Sequence, residues 1–95
     1  MKRSPMKRRP PKRGPMDPAI AQAVLDRDRG CVAHRWGYAL DVRCSGRPHV
    51  HHRRLRAQGG LDTLDNLITL CERHHDQAHN VDRAGANAAG VILPR

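Results

Sequence analysis

The sequence predicts a small α+β domain, and three observations carry that expectation. Asp17-Pro18 opens an apolar helical repeat, short strand-length runs at 49–53 and 67–70 flank a loop containing Gly59-Gly60, and His75 and His79 stand one helical turn apart. A chain of 95 residues allows at most one small domain with a limited core. Phe is absent and the aromatics are Trp36 and Tyr38, so the apolar core is expected to be thin and bound metal to compensate. No apolar run approaches the roughly 18 residues of a membrane span, and no signal-type segment follows the basic start. A soluble cytoplasmic protein without a membrane partner is expected.

Residues 1–16 read MKRSPMKRRPPKRGPM, with four prolines, seven basic residues and no acid, which predicts a disordered basic arm. Lys and Arg number 18 against 9 Asp and Glu, a net charge of +9, and the arm supplies seven of those charges. Attraction to nucleic-acid phosphates should therefore lean on Lys7, Arg8, Arg9, Lys12 and Arg13 and be salt-sensitive. Residues 17–95 form the folded domain. Asp17 is an N-cap with Pro18 at the first helical position, and Ile20, Ala21, Ala23 and Val24 repeat at helical spacing. Gly30 is placed to end that helix after Arg29. Residues 31–48 read as an irregular knuckle in which Trp36 and Tyr38 pack. A strand at 49–53, a long loop at 54–65, a strand at 67–70 and a helix from 72 to about 80 follow, with a last short strand at 90–93.

The chemistry is concentrated between His49 and His79. Imidazoles at i and i+4 share a helix face, so His75 and His79 can reach one divalent ion. Neighbours on a strand point to opposite faces, so only one of His51 and His52 joins them and the other is left as a candidate general base. Three cysteines, an odd number, argue for metal thiolates over a disulfide framework. Cys71 and His74 form a short knuckle at the start of the helix, and His74 points away from His75 by about 100°. Cys31 and Cys44 complete a Cys3His zinc site, with His34 the alternative to Cys44. Cys44 is preferred because it would otherwise be a lone thiol beside a polar turn. Without metal the same cysteines would be small buried hydrophobes.

The HH pair, the GG of the loop, the NL, the LC-x-x-H-H and the H-x-x-x-H appear in an order that resembles the HNH endonucleases, whose fold is the ββα-metal (His-Me finger) domain. The resemblance covers about 30–80, with its core at 49–80. It implies His51, His75 and His79 as ligands of one catalytic divalent ion, His52 as general base, and Asn66 as the residue orienting His52. An all-histidine ligand set leaves Mg, Mn, Ni and Zn open, with imidazole favouring the softer ions. The implied reaction is hydrolysis of DNA phosphodiester bonds, by nicking or double-strand cleavage, with Arg53, Arg54 and Arg56 flanking the site as phosphate contacts. The chain also resembles small stand-alone HNH proteins that bacteriophages encode near DNA-packaging genes, which implies terminase subunits as partners and the host cytoplasm as setting. No dimer pattern is evident, so a monomer or weak dimer is expected. The competing reading is a zinc-stabilised nucleic-acid-binding module that does not cut, which would have no use for His52, Asn66 and the paired helix histidines in register.

Overall fold

The structure, a computed structural model, describes residues 16–94. The basic arm expected at 1–16 lies outside the described residues except for Met16, and Lys7, Arg8, Arg9, Lys12 and Arg13 lie outside with it. The elements run α1 (Pro18–Asp28), a 3-10 turn (His34–Trp36), β1 (Pro48–His52), a second 3-10 turn (Arg56–Gln58) and β2 (Leu67–Cys71). They continue through α2 (Glu72–Asp76), which passes directly into a π-helical turn (Gln77–Val81), and end with α3 (Arg83–Ala89). Among the described residues this is an α+β domain of three α-helices and one two-stranded antiparallel sheet, with Cys and His clustered on it as the ββα-metal fold requires.

Helix α1 starts as its sequence dictates. The Asp17 carboxylate accepts from the Ala19 N–H at 2.9 Å, and Pro18 occupies a position whose N–H has no helical partner. The helix stops one residue earlier than expected, because Arg29 itself takes the left-handed conformation (φ 54°) and bonds back to Leu25, while Gly30 continues outward at φ 116°. Its buried stripe is anchored by Val24 and Asp28, one turn apart, while Ala23 faces solvent. Asp28 sits against β2, where its carboxylate accepts from the Thr69 N–H at 2.8 Å and from Arg27 at 2.7 Å. Burial alone would raise its pKa, but the hydrogen bonds from Arg27 and Thr69 outweigh it and hold the carboxyl below its usual range. Val32 N–H bonds to Thr69 O at 2.9 Å. The outer edge of β2 is thereby covered by α1 and the segment after it.

The two strands pair from Pro48 opposite Cys71 to His52 opposite Leu67. Every residue of β2 is buried, so the strand reads LITLC without a polar face. Ile68 and Leu70 enter a core with Val32, Ala33, Tyr38, Ala78, Ala86, Val91 and Ile92, against which Trp36 packs. Cross-strand partners share a face, so His49 and His51 lie on that core side, and His52 lies on the other with Leu67. Tyr38 donates its hydroxyl to Asp82 O at 3.0 Å, tying the knuckle to the start of α3.

Four further expectations about the chain trace need correction. The strand expected at 49–53 is shifted by one residue, and β2 extends through Cys71. The helix expected from 72 to about 80 is a short α-helix followed by a π turn, a widening that often occurs where helices carry function. Residues 90–93 are not a strand. They follow α3, which had no amphipathic signal because its sequence is RAGANAA. Gly90 at φ 82° ends that helix and turns the tail back across β1, where the Leu93 N–H bonds to Arg53 O at 2.7 Å.

Candidate metal centres and active site

Among the described residues there are two groups whose ligand atoms, within each group, all lie within 4.8 Å of one another, and each group could hold a metal ion. The first comprises Cys31, Cys44, Cys71 and His74. Cys71 ends β2 and caps α2, its sulfur accepting from the His74 N–H at 3.4 Å, which brings the i and i+3 side chains together. The knuckle after α1 brings in Cys31, and the turn before β1 brings in Cys44. His74 Nδ1 lies 3.6 Å from the sulfurs of Cys31 and Cys44 and 3.1 Å from that of Cys71. Bonds of about 2.3 Å to sulfur and about 2.0 Å to nitrogen set neighbouring corners of a tetrahedron roughly 3.5 Å apart, so the spacing fits a four-coordinate ion. His34 is outside the group. Its Nε2 is 2.8 Å from Val42 O, and its ring stands edge-on to His74 at 4.9 Å.

Without a cation the crowded thiols separate in acidity. Burial and the neighbouring Cys31 push Cys44 up to about 12. Burial also raises Cys71, but backbone hydrogen bonds from His74 and Ser45 outweigh it and bring that thiol down to about 6. A divalent ion removes the conflict by stabilising all the thiolates together.

The second group is His51, His75 and His79. His51 projects from β1 and is 2% exposed, and the other two rise from α2 and the π turn. Ring centroids lie 5.4 Å apart for His51 and His75, 5.2 Å for His51 and His79, and 4.6 Å for His75 and His79. Burial pushes His51 down to about 3, with the neighbouring histidines adding to it. Burial, then nearby charge from His79 and His49 in one case and Arg83 in the other, lowers His75 and His79 as well. All three are therefore neutral near pH 7, the form a metal needs. His75 and His79 open into a surface groove of about 720 Å3 that also includes His49, Ser45, Arg73 and Asp76. The His49 ring stacks on His75 at 5.4 Å.

His52 points away from this group. Its Nε2 is 2.6 Å from Asp62 Oδ1, and the other Asp62 oxygen accepts from Arg56 at 2.8 Å. The hydrogen bond with His52 comes first among the influences that keep the Asp62 carboxyl below its usual range. Asn66, expected to hold the His52 ring, is engaged elsewhere. Its amide donates to Arg54 O at 3.1 Å and Leu61 O at 2.9 Å and accepts from the Arg54 N–H at 2.8 Å. It closes the base of the loop and so delivers Asp62 to His52. Gly60 has its own reason within that loop, since a Cβ there would lie 1.7 Å from Arg54 O.

The three arginines beside the site are not equivalent. Arg53 donates to Gly90 O at 2.9 Å and lies over Trp36, 4.8 Å from the ring centroid, so it braces the tail. Arg56 is paired with Asp62, and Arg54 is exposed. Asp62 escaped the sequence reading because a lone acid in an irregular loop has no period and no spacing rule to mark it.

No described helix is long and apolar enough to cross a membrane. Comparison with curated proteins and with solved structures returns no match. Residues 42–81 match the family model described as HNH endonuclease, a span that holds both strands, the loop, the histidine group and all of the sulfur group but Cys31. Over this stretch the chain is thus similar to the HNH endonucleases, and with the two ligand groups that likeness supports a metal-dependent function related to nucleic acid.

Proposed function

We propose that the protein is a metal-dependent endonuclease that hydrolyses DNA phosphodiester bonds. The observation that carries this reading is the division of adjacent histidines: His51 turns in to His75 and His79, while His52 turns out to a carboxylate. An ionised carboxylate can only accept, so His52 Nε2 carries the proton and Nδ1 keeps its lone pair. Nδ1 takes a proton from water, the water oxygen attacks phosphorus, and the bond to the 3′-oxygen breaks. Asp62 stabilises the imidazolium that forms, and Arg56 holds Asp62 in place. A divalent ion bound by His51, His75 and His79 would supply Lewis-acid polarisation of the phosphate and of the departing oxygen.

Zinc at Cys31, Cys44, Cys71 and His74 would serve as a structural clamp that joins the segment after α1 to the start of α2. The seven positive charges of residues 1–16 add phosphate attraction, and exposed Arg54 offers a contact beside the site. The same proposal extends to phage DNA processing or packaging beside terminase subunits, a setting supported by the order of the motifs alone. His52→Ala tests the base. Metal and DNA binding should persist while cleavage disappears, and a variant that cuts at the wild-type rate refutes the assignment. A wild-type chain that is folded and binds DNA but fails to cut with every ion supplied is instead the non-cleaving module.

A further inference from the structure

The tail after α3 is held by nearly all of its backbone. Val91 and Ile92 N–H groups bond to Ala86 O at 2.9 and 3.2 Å, Ile92 O accepts from the Asn87 amide at 2.7 Å, and Gly90 O accepts from Arg53 at 2.9 Å. Val91 and Ile92 are fully buried. Between those anchors, Val91 O lies 2.9 Å from Nε2 of His51, on a side chain that is itself almost wholly buried. A carbonyl oxygen can only accept a hydrogen bond, so Nε2 of His51 must carry the proton and Nδ1 must hold the ring's lone pair.

We infer that residues 90–93 belong to the histidine metal centre, with the Val91 carbonyl fixing His51 as the Nε2–H tautomer so that Nδ1 is the atom presented to the ion. The inference rests on the reading of His51, His75 and His79 as metal ligands, and it reaches outside the stretch matched by the family model. Its physical content is orientation. A metal-bound imidazole whose second nitrogen donates to a fixed acceptor is held in one tautomer and one ring angle, and losing such a partner costs about 10- to 100-fold in metal affinity. The tail also explains why Arg53 is committed to Gly90 and Trp36: it pins the chain one residue before the carbonyl that matters.

The test uses the full chain, labelled with 15N, with zinc already at the sulfur site and further zinc ion as the probe. Long-range 1H–15N correlation should show His51 with a protonated Nε2 and a bare Nδ1, and added zinc should move the Nδ1 resonance while the Nε2 proton stays. A protonated Nδ1, or a zinc-induced shift on Nε2, overturns the inference but leaves the three-histidine site standing. Zinc-induced shifts at none of His51, His75 and His79 overturn both. An affinity measurement by chelator competition gives a second readout. Replacing the Val91–Ile92 peptide bond with an ester weakens the Val91 carbonyl as an acceptor and removes the Ile92 N–H. Zinc binding at the histidine site should weaken about tenfold. An ester at Gly90–Val91 also removes an N–H bonded to Ala86 but leaves the Val91 carbonyl an amide, and it should change affinity much less. Equal affinities for the two esters would overturn the inference.

Discussion

Replacing Asp62 with Asn separates the charge of this side chain from its shape. In the folded protein, one oxygen lies 2.6 Å from His52 Nε2 and the other accepts from Arg56 at 2.8 Å. Both side chains of the His52 pair are largely shielded, at 14% and 22% exposure, so the interaction is only partly screened by solvent. A hydrogen bond to a charged group contributes about 1.5–3 kcal/mol and a neutral one about 0.5–1.5 kcal/mol. Asp62→Asn keeps an acceptor and loses the charge, so it should forfeit about 1–1.5 kcal/mol of support for the imidazolium in the transition state. That converts to roughly tenfold in kcat. Asp62→Ala removes the acceptor as well and should cost roughly 10- to 100-fold. Because the wild-type carboxyl is held below its usual range, it stays ionised through neutral pH and the deficit should not depend on pH there. The assay is single-turnover cleavage of a labelled duplex with saturating protein, alongside metal content and DNA affinity, both of which should be unchanged. Wild-type rates in both variants would refute the role given to Asp62.

The remaining predictions concern metal, pH and salt. Cys44→Ala should lose the ion of the sulfur site and His34→Ala should retain it, as read by metal analysis of purified protein; the reverse result would place His34 in that site. In metal-free protein, the unfolded chain takes up the His51 proton near pH 6.5 and the folded chain only near pH 3. Stability is therefore intact above about pH 6.5 and drains away as pH falls toward 3, with a loss of about 3 kcal/mol at pH 4 from this group alone. Urea unfolding across that range measures it, and a flat profile would contradict the burial argument. Deleting residues 1–15 removes seven positive charges. The slope of log affinity against log salt should flatten by as much as about 6, and an unchanged slope would dismiss the arm as a phosphate contact.

What could be read from the sequence was whatever obeys a period. His75 and His79 at i and i+4, Cys71 and His74 at i and i+3, and the opposed faces of His51 and His52 all follow from helix and strand geometry. The structure brings all of these residues except His52 into the two groups described, and turns His52 away from them. Asp17-Pro18 likewise marks α1 because capping is local chemistry. What could not be read depends on tertiary path. Asp62 meets His52 only because the loop closes on Asn66, and no spacing encodes that closure. The apolar run 90–93 has the composition of a strand, yet its carbonyls turn to Arg53, His51 and Asn87 because Gly90 redirects the chain. The motif resemblance assigned Asn66 to the His52 ring, whereas its amide is used up on Arg54 and Leu61.

The most direct test of the whole account is the ion dependence of plasmid nicking. Protein stripped of metal at the histidine site but retaining the sulfur-site ion should leave supercoiled plasmid intact. It should then produce nicked or linear DNA when Mg2+, Mn2+, Ni2+ or Zn2+ is restored, each ion tested separately. His75→Ala and His79→Ala proteins that still carry the sulfur-site ion should lose this response. Cleavage that proceeds without any added ion, or that survives loss of both helix histidines, would contradict the assignment of His51, His75 and His79 as the catalytic metal centre.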